Sequence, residues 1–216
     1  MSDAIEEYRG KHLVLRFEGH RCIHARRCVL GAPGVFKANV AGPWIDPDAL
    51  PADELAALAR ECPSGAITYE RVDGGAAETA PPVNVVRVRE NGPLAFHGDL
   101  RIAGQACLRA TLCRCGQSRS KPYCDRSHAD AHFAASGEAA TRVCPPLDER
   151  AGPLTIDPST DGPLLVRGNL EVVTGTGRMI LRAPATAKPI AFCRCGQSHD
   201  KPFCDGSHKA VGFRSI

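Results

Sequence analysis

The sequence is poor in aromatic residues and in net charge. Its 216 residues include one tryptophan, three tyrosines and seven phenylalanines, and the formal net charge is only +3. So small a charge argues against a nucleic-acid partner. No stretch approaches the roughly 20 apolar residues of a membrane-spanning helix, and the N-terminal segment lacks the basic and apolar parts of a secretory signal. The sequence therefore predicts a cytoplasmic protein without a membrane or nucleic-acid partner.

Cysteine, by contrast, is abundant, because the chain has 11 cysteines beside 8 histidines. Thiols stay reduced in a cytoplasmic protein, so this number indicates metal ligation rather than disulfides. Nine of the cysteines fall into three groups of three. Cys107 and Cys144 lie outside these groups and are expected to be small, partly buried thiols.

The strongest internal signal is a duplication. CRCGQSRSKPYCDRSH at 113–128 and CRCGQSHDKPFCDGSH at 193–208 agree at 12 of 16 positions. Upstream, NGPLAFHGDL parallels DGPLLVRGNL at a shift of 70 rather than 80 residues, which predicts a ten-residue insertion within 173–192. The linker-like DGGAAETAPP precedes this tandem. We therefore expect three domains, at 1–75, 76–150 and 151–216.

The coarse patterning predicts an α+β protein. In the first segment it indicates strands at 12–17 and 66–70 and a helix at 51–62. Beyond the linker we expect a strand at 83–90, further short strands whose turns are set by glycine and proline, and brief helical pieces after each CDxSH motif. A small α+β domain is thus expected before a mostly β tandem.

Each repeat offers the ligand pattern Cys-x-Cys-x8-Cys-x3-His. The members are Cys113, Cys115, Cys124 and His128 in the first repeat, and Cys193, Cys195, Cys204 and His208 in the second. In an extended segment residues i and i+2 point the same way, so both cysteines of the first pair can face one centre. We expect the third cysteine and the histidine to share one face of a helix capped by Ser120 or Asp200. Zinc and iron–sulfur clusters both use such ligands, and the one-residue gap in the first pair favours iron–sulfur.

The whole motif resembles the signature of the CDGSH iron–sulfur family, the mitoNEET-like proteins. The second repeat matches C-x-C-x2-S-x3-P-x-C-D-G-S-H at every position, and the first departs only at Arg126. The resemblance implies a 2Fe-2S cluster in each repeat, held by three cysteines and one histidine, and a β-rich cap over a cluster-binding region. It also implies that one chain supplies both clusters as an internal pseudo-dimer, functional as a monomer. Since the four ligands remain beside Arg126, we expect the first site to bind its cluster.

A third group of cysteines lies in the N-terminal segment. Cys22 and Cys28 have the outer spacing of the ferredoxin triplet C-x2-C-x2-C, with Ala25 in the middle, and Cys62, which precedes a proline, fits the remote ligand. Residues 11–70 resemble the divergent single-cluster ferredoxin family. The resemblance implies a ferredoxin-like domain with a third cluster.

Two cluster types fit this triad. Three cysteines suit a 3Fe-4S cluster, or a 4Fe-4S cluster whose fourth iron takes His24 or solvent. The alternative is a fold that persists without a cluster, in which the thiols are merely near one another and His24 is a surface residue.

Two functions follow from these clusters, and no pattern typical of an enzyme active site accompanies them. The first is electron transfer, with up to three clusters forming a relay to a redox partner. The second is a cluster carrier, or a pH- and redox-sensitive sensor, that hands 2Fe-2S units to an apo-protein acceptor. The histidine ligand favours the second, because protonation of its iron-bound nitrogen weakens the bond. A third class, a zinc-stabilised interaction module, would be colourless when purified.

Overall fold

The structure, a computed structural model, describes residues 4–215 and divides the chain into two compact units. The units are Met1–Thr79 and Ala80–Ile216, and each has its own buried apolar core. Strands predominate and the helices are few and short, so the predicted α+β class is confirmed. No helix in the described part of the chain is long and apolar enough to cross a membrane.

The N-terminal unit is a three-stranded antiparallel sheet with two helices. Its strands, in their order across the sheet, are β1 (Ile5–Arg9), β2 (Leu13–Glu18) and β3 (Ile67–Arg71). Its helices are α1 (Arg27–Gly31) and α2 (Ala52–Arg60). The apolar face of α2, with Leu55 and Ala59 buried, packs on the sheet, and this helix and the two predicted strands are confirmed. β1 is a strand that the patterning does not predict, because its side chains are almost all exposed.

The C-terminal unit contains one eight-stranded sheet. The first repeat contributes β4 (Val85–Val88), β5 (Leu94–Ile102) and β6 (Gln105–Leu112). The second repeat contributes β7 (Pro153–Pro158), β8 (Leu164–Arg167), β9 (Leu170–Thr174), β10 (Met179–Ala183) and β11 (Ile190–Phe192). The order is β10-β9-β4-β5-β7-β8-β11, with β6 paired to β5. Two four-residue helices, α3 (Ser127–Asp130) and α4 (Ser207–Ala210), end the cysteine motifs.

The first strand of each repeat pairs with strands of both repeats. β4 pairs antiparallel with β5 of its own repeat and parallel with β9 of the other. β7 in turn pairs antiparallel with β8 of its own repeat and parallel with β5 of the other. The registers correspond, because Val85 lies opposite both His97 and Glu171, and Thr155 lies opposite both Arg167 and Arg101. Each repeat therefore completes the sheet of the other, and both contribute to one core.

The predicted insertion in the second repeat is confirmed. A two-residue turn at Ala103 and Gly104, both with positive φ, joins β5 to β6. In the second repeat, residues 175–178 join β9 to β10 and residues 184–189 separate β10 from β11. The extra residues thus lie in two connections ahead of the cysteine motif and not within it.

Candidate metal centres

In each repeat the last strand continues directly into the Cys-x-Cys segment, and the chain then folds back beside it. The amides of Cys113 and Cys124 donate to the carbonyls of Pro122 and Thr111, at 2.8 and 2.9 Å. The second repeat makes the same two bonds at the corresponding positions, both at 2.8 Å. These bonds hold the third cysteine next to the first pair.

The four predicted ligands of each repeat form two close pairs. The Sγ atoms of Cys113 and Cys115 are 3.6 Å apart, and Sγ of Cys124 lies 3.4 Å from Nδ1 of His128. In the second repeat the corresponding distances are 3.8 and 3.4 Å. Two ligands bound at about 2.3 Å to one tetrahedral metal are about 3.8 Å apart, so each pair has the spacing of two ligands on one metal.

The pairs do not merge into a single-ion site. Within residues 4–215, no three cysteine, histidine or carboxylate side chains converge on one metal ion. A structural zinc needs four ligands around one ion, whereas a two-iron cluster takes two ligands on each iron. The side chains present therefore fit a 2Fe-2S cluster better than a single zinc ion.

Backbone amides also point at the ligand sulfur atoms. The amides of Gln117 and Arg126 donate to Sγ of Cys115 and Cys124, each at 3.4 Å. The corresponding amides of the second repeat do the same at 3.5 and 3.4 Å. Such donors stabilise a thiolate over a thiol, which is the form that binds metal.

Burial opposes this stabilisation. It raises the pKa of Cys124 to about 12 and raises the pKa values of Cys195 and Cys204 as well. The hydrogen bond between Cys113 and Cys115 lowers the pKa of Cys113 to about 6 and raises that of Cys115, because the two thiols share one proton. A buried thiolate is stabilised by nearby positive charge, and a bound metal centre would supply that charge.

The helices that carry the histidines begin later than the sequence predicts. α3 starts at Ser127 rather than near Ser120, so Cys124 lies in the loop before it. The predicted helix with both ligands on one face is therefore wrong. The helix begins late because of Asp125. Its carboxylate accepts hydrogen bonds from the backbone amides of Arg119 and Ser127, at 2.9 and 3.0 Å, and closes the loop ahead of the helix. The same two bonds form in the second repeat.

The residue before each of these helices has a left-handed backbone. φ is +73° at Arg126 and +91° at Gly206. This conformation is ordinary for glycine and strained for arginine. Burial lowers the pKa of His128, and the charge of Arg126 lowers it further, which favours the neutral, metal-binding imidazole. The departure from the motif thus strains the first site without opposing ligation.

The two Cys-x-Cys segments lie against each other. Cys115 and Cys195 form an antiparallel bridge. A Cβ at Gly116 would lie 2.6 Å from the carbonyl oxygen of Cys195, and one at Gly196 would lie 2.4 Å from that of Cys115. Only glycine permits so close an approach, so the glycine after each pair makes the two sites neighbours.

Some residues that shape the sites were not identified from the sequence. Ser118 and Ser198 donate to main-chain carbonyls five residues ahead, each at 2.6 Å, and so fix the loop between the ligand pairs. Arg114 and Arg194, within the Cys-x-Cys segments, are buried. All four are identical between the two copies of the motif, and this identity is the signal that could have found them.

The N-terminal unit places its three predicted ligands on one cavity of about 450 Å³. Cys22 precedes α1, Cys28 lies within it, and Cys62 follows α2, so the two helices bring the remote cysteine to the others. Burial raises the pKa of Cys28, and the charge of Cys62 adds to this effect. Three thiols around a cavity, with no three side chains on one ion in the described chain, fit a cluster better than a single metal.

Ala25 occupies the middle position of the ferredoxin triplet, between Cys22 and Cys28, and its side chain has no ligand atom. Ala25 lines the cavity and is exposed. His24 also lines it and is exposed, its backbone is left-handed with φ of +50°, and its amide donates to Sγ of Cys22 at 3.4 Å. The two residues that distinguish a three-iron from a four-iron centre thus lie at the solvent side.

Comparison with protein families agrees with both kinds of site. The family described as iron-binding zinc finger, CDGSH type, matches residues 85–129 and 161–209, and the family described as divergent 4Fe-4S mono-cluster matches residues 8–72. The chain is therefore an iron–sulfur protein. Its C-terminal unit matches the CDGSH family twice, in tandem, and its N-terminal unit matches the divergent 4Fe-4S mono-cluster family, which confirms both resemblances. No curated protein and no solved structure matches the chain significantly.

Proposed function

We propose that the chain binds two 2Fe-2S clusters, one in each CDGSH repeat, and a third cluster of the 3Fe-4S or 4Fe-4S type in the N-terminal unit, and that it works in electron transfer rather than catalysis. The observation that carries the proposal is the arrangement of four ligands in two pairs at 3.4 to 3.8 Å, found twice. When bound, each cluster supplies a centre that accepts and returns one electron.

In the first repeat, Cys113 and Cys115 would hold one iron, and Cys124 and His128 the other. In the second repeat the holders would be Cys193 with Cys195, and Cys204 with His208. In the N-terminal unit they would be Cys22, Cys28 and Cys62. A neutral imidazole contributes less negative charge than a thiolate, so the potential of each CDGSH site should lie above that of plant-type ferredoxins.

The protein's own contribution is to shield one side of each site and leave the other side accessible. The four cysteines of the two Cys-x-Cys pairs are at most 6% exposed, whereas His128 and His208 are half-buried. The histidine edge is therefore the side from which a redox partner can approach. The pairing of β4 and β7 with strands of the other repeat, within one chain, supports an internal pseudo-dimer, and hence a monomer as the functional unit.

Electron paramagnetic resonance with iron and sulfide quantitation, on anaerobically purified protein, tests the cluster content. We expect two 2Fe-2S signals on reduction and one further cluster of three or four irons per chain. Stoichiometric zinc without acid-labile sulfide would overturn the proposal. A single 2Fe-2S cluster per chain would contradict the expectation that both CDGSH sites bind.

The half-buried histidines also favour a second candidate, a carrier that hands 2Fe-2S clusters to an apo-protein acceptor. A ligand at the solvent edge is the one that an acceptor can replace. Incubation of the holoprotein with an apo-ferredoxin separates the two functions. Retention of the clusters through repeated reduction and oxidation supports electron transfer, and rapid transfer from the oxidised protein alone supports the carrier.

A further inference from the structure

In the N-terminal unit, Cys62 begins a tight turn that leads into β3. The amide of Gly65, whose φ is +67°, donates to the carbonyl of Cys62 at 3.3 Å. At the start of the turn, the amide of Cys62 donates to the carbonyl of Ala59, in α2, at 3.2 Å. At its end, the carbonyl of Ala66 accepts from the amide of Glu18, in β2, at 2.8 Å. The backbone of the turn is thus fixed on both sides.

Ser64, inside this turn, places a buried hydroxyl against a predicted ligand. It lines the N-terminal cavity and is 2% exposed. Its Oγ lies 3.6 Å from Sγ of Cys62 and accepts a hydrogen bond from the amide of Ala66 at 3.3 Å. At the first CDGSH site the comparable contacts to ligand sulfur, at 3.4 Å, come from the amides of Gln117 and Arg126. The contact to Cys62 comes from a side chain, which a substitution can remove.

The hydrogen bonds of Ser64 decide which of the two atoms is the donor. A hydroxyl has one hydrogen to donate and two lone pairs with which to accept. The amide of Ala66 uses a lone pair of the Ser64 oxygen, so the hydroxyl hydrogen remains for Cys62. A thiolate that ligates iron carries no proton. In the loaded site the serine therefore donates and the sulfur accepts.

We propose that the Ser64 hydroxyl donates a hydrogen bond to the Cys62 thiolate and thereby raises the reduction potential of the N-terminal iron–sulfur cluster. The inference rests on the proposed function, because it needs a cluster held by Cys62. Reduction adds one negative charge to the cluster and its ligands, so a donor to a ligand sulfur stabilises the reduced form more than the oxidised form. The burial of Ser64 keeps water from competing for the sulfur. Ser64 is thus a positioning residue that acts through Cys62.

The test is a redox titration of the full-length holoprotein, followed by electron paramagnetic resonance. The signal that Cys28→Ala abolishes identifies the N-terminal cluster, and the two 2Fe-2S clusters serve as internal references. Ser64→Ala should lower the midpoint potential of the N-terminal cluster, so that the ratio of reduced to oxidised cluster at a fixed potential falls several-fold. Ser64→Thr, which keeps the hydroxyl, should leave this ratio close to that of the unsubstituted chain. The potentials of the 2Fe-2S clusters should not move in either variant.

Thr68→Val is the matched control. Thr68 lies in β3, two residues beyond Ala66, and is not among the described residues that line the cavity. Its substitution removes a hydroxyl from the same unit and should leave the potential of the N-terminal cluster unchanged. A shift as large as that of Ser64→Ala would assign the effect to the fold of the unit and overturn the inference. An unchanged potential in Ser64→Ala, or an equal shift in Ser64→Thr, would overturn it as well.

A second variant covers the case in which Ser64→Ala does not retain the cluster. Ser64→Gly then takes its place, because it removes the hydroxyl and leaves no methyl group in the buried turn. Its potential should be lowered in the same direction. Loss of the cluster in both variants would assign Ser64 to retention of the cluster rather than to its potential, and would overturn the inference.

Iron and sulfide quantitation on the unsubstituted chain separates the inference from the proposed function. A chain without the third cluster overturns that part of the proposed function and, with it, this inference. A chain with its third cluster, but without the shift in potential on loss of the hydroxyl, overturns the inference alone.

Discussion

The two CDGSH sites have the same ligands but different supports. Their ligand distances nearly coincide, yet the first site has a strained Arg126 where the second has Gly206. At the second site the segment between the repeats reaches the cluster loop, since Arg142 donates to both carboxylate oxygens of Asp200, at 2.8 and 2.9 Å. The ligand set is therefore the same in both sites while its surroundings differ, and we expect the first site to be the less stable of the two.

The largest effect should follow from removal of a ligand. Cys204→Ser is expected to remove the second 2Fe-2S cluster and leave the first, and Cys124→Ser should do the reverse, because each site needs all four donors. Iron and sulfide quantitation should fall from two 2Fe-2S clusters per chain to one in either variant. Loss of both clusters in either variant would contradict the view that each repeat holds its own.

A smaller effect, on the stability of the C-terminal unit, is expected from loss of an ion pair in the second repeat. Glu171, 5% exposed, accepts two hydrogen bonds from Arg150, at 2.9 and 3.0 Å, and the first repeat has Arg101 at the corresponding position. Arg150 holds the pKa of Glu171 below its usual value of 4.5. The ion pair therefore stabilises the fold above that pH and loses its effect as the pH falls through the lowered pKa.

Glu171→Gln should consequently destabilise the C-terminal unit by about 1–2 kcal/mol at pH 7 and by less at pH 4. Urea unfolding of parent and variant at both pH values measures the difference. The matched control in the first repeat is Asp99→Asn, which removes a more exposed pair with Arg101 and should cost below about 0.5 kcal/mol. An effect of Glu171→Gln that grows toward low pH would contradict the assignment.

Exchange of the residue before each short helix should change stability in opposite directions. Arg126→Gly is expected to stabilise the first site by about 1 kcal/mol, because it relieves a left-handed arginine, and Gly206→Ala to destabilise the second site by a similar amount. The rate of cluster loss to a chelator reports both changes. It is measured for each site in a chain whose other CDGSH site has its three cysteines replaced by serine. If Arg126→Gly speeds the loss, the arginine contributes more through charge than it costs in strain.

The smallest expected effect concerns the contact between Arg142 and the loop of the second site. Arg142 also lies 4.0 Å from the centre of the Phe203 ring, beside the second ligand pair. Arg142→Ala should weaken the second site by about 0.5–1 kcal/mol, since the ion pair is partly exposed. Chelator-induced cluster loss should then quicken a few-fold at the second site and stay unchanged at the first.

Much of the site, but less of the fold, could be predicted from the sequence. The ligand pairs depend on local spacing, so Cys113 and Cys115 could be assigned to one centre from the chain alone. The start of α3 could not, because the side chain of Asp125 competes with the helix for backbone amides. β1 was missed because an exposed strand shows no apolar alternation.

The sequence by itself determined the duplication, the ligand types and their separation along the chain, because a repeated motif and a fixed spacing need no knowledge of distant contacts. The tertiary structure alone decided which parts of the two repeats meet. The pairing of Val85 with Glu171 and the bridge between Cys115 and Cys195 join residues about eighty positions apart. Such contacts depend on burial in a shared core and on the close approach that two glycines permit, and neither can be computed from one motif.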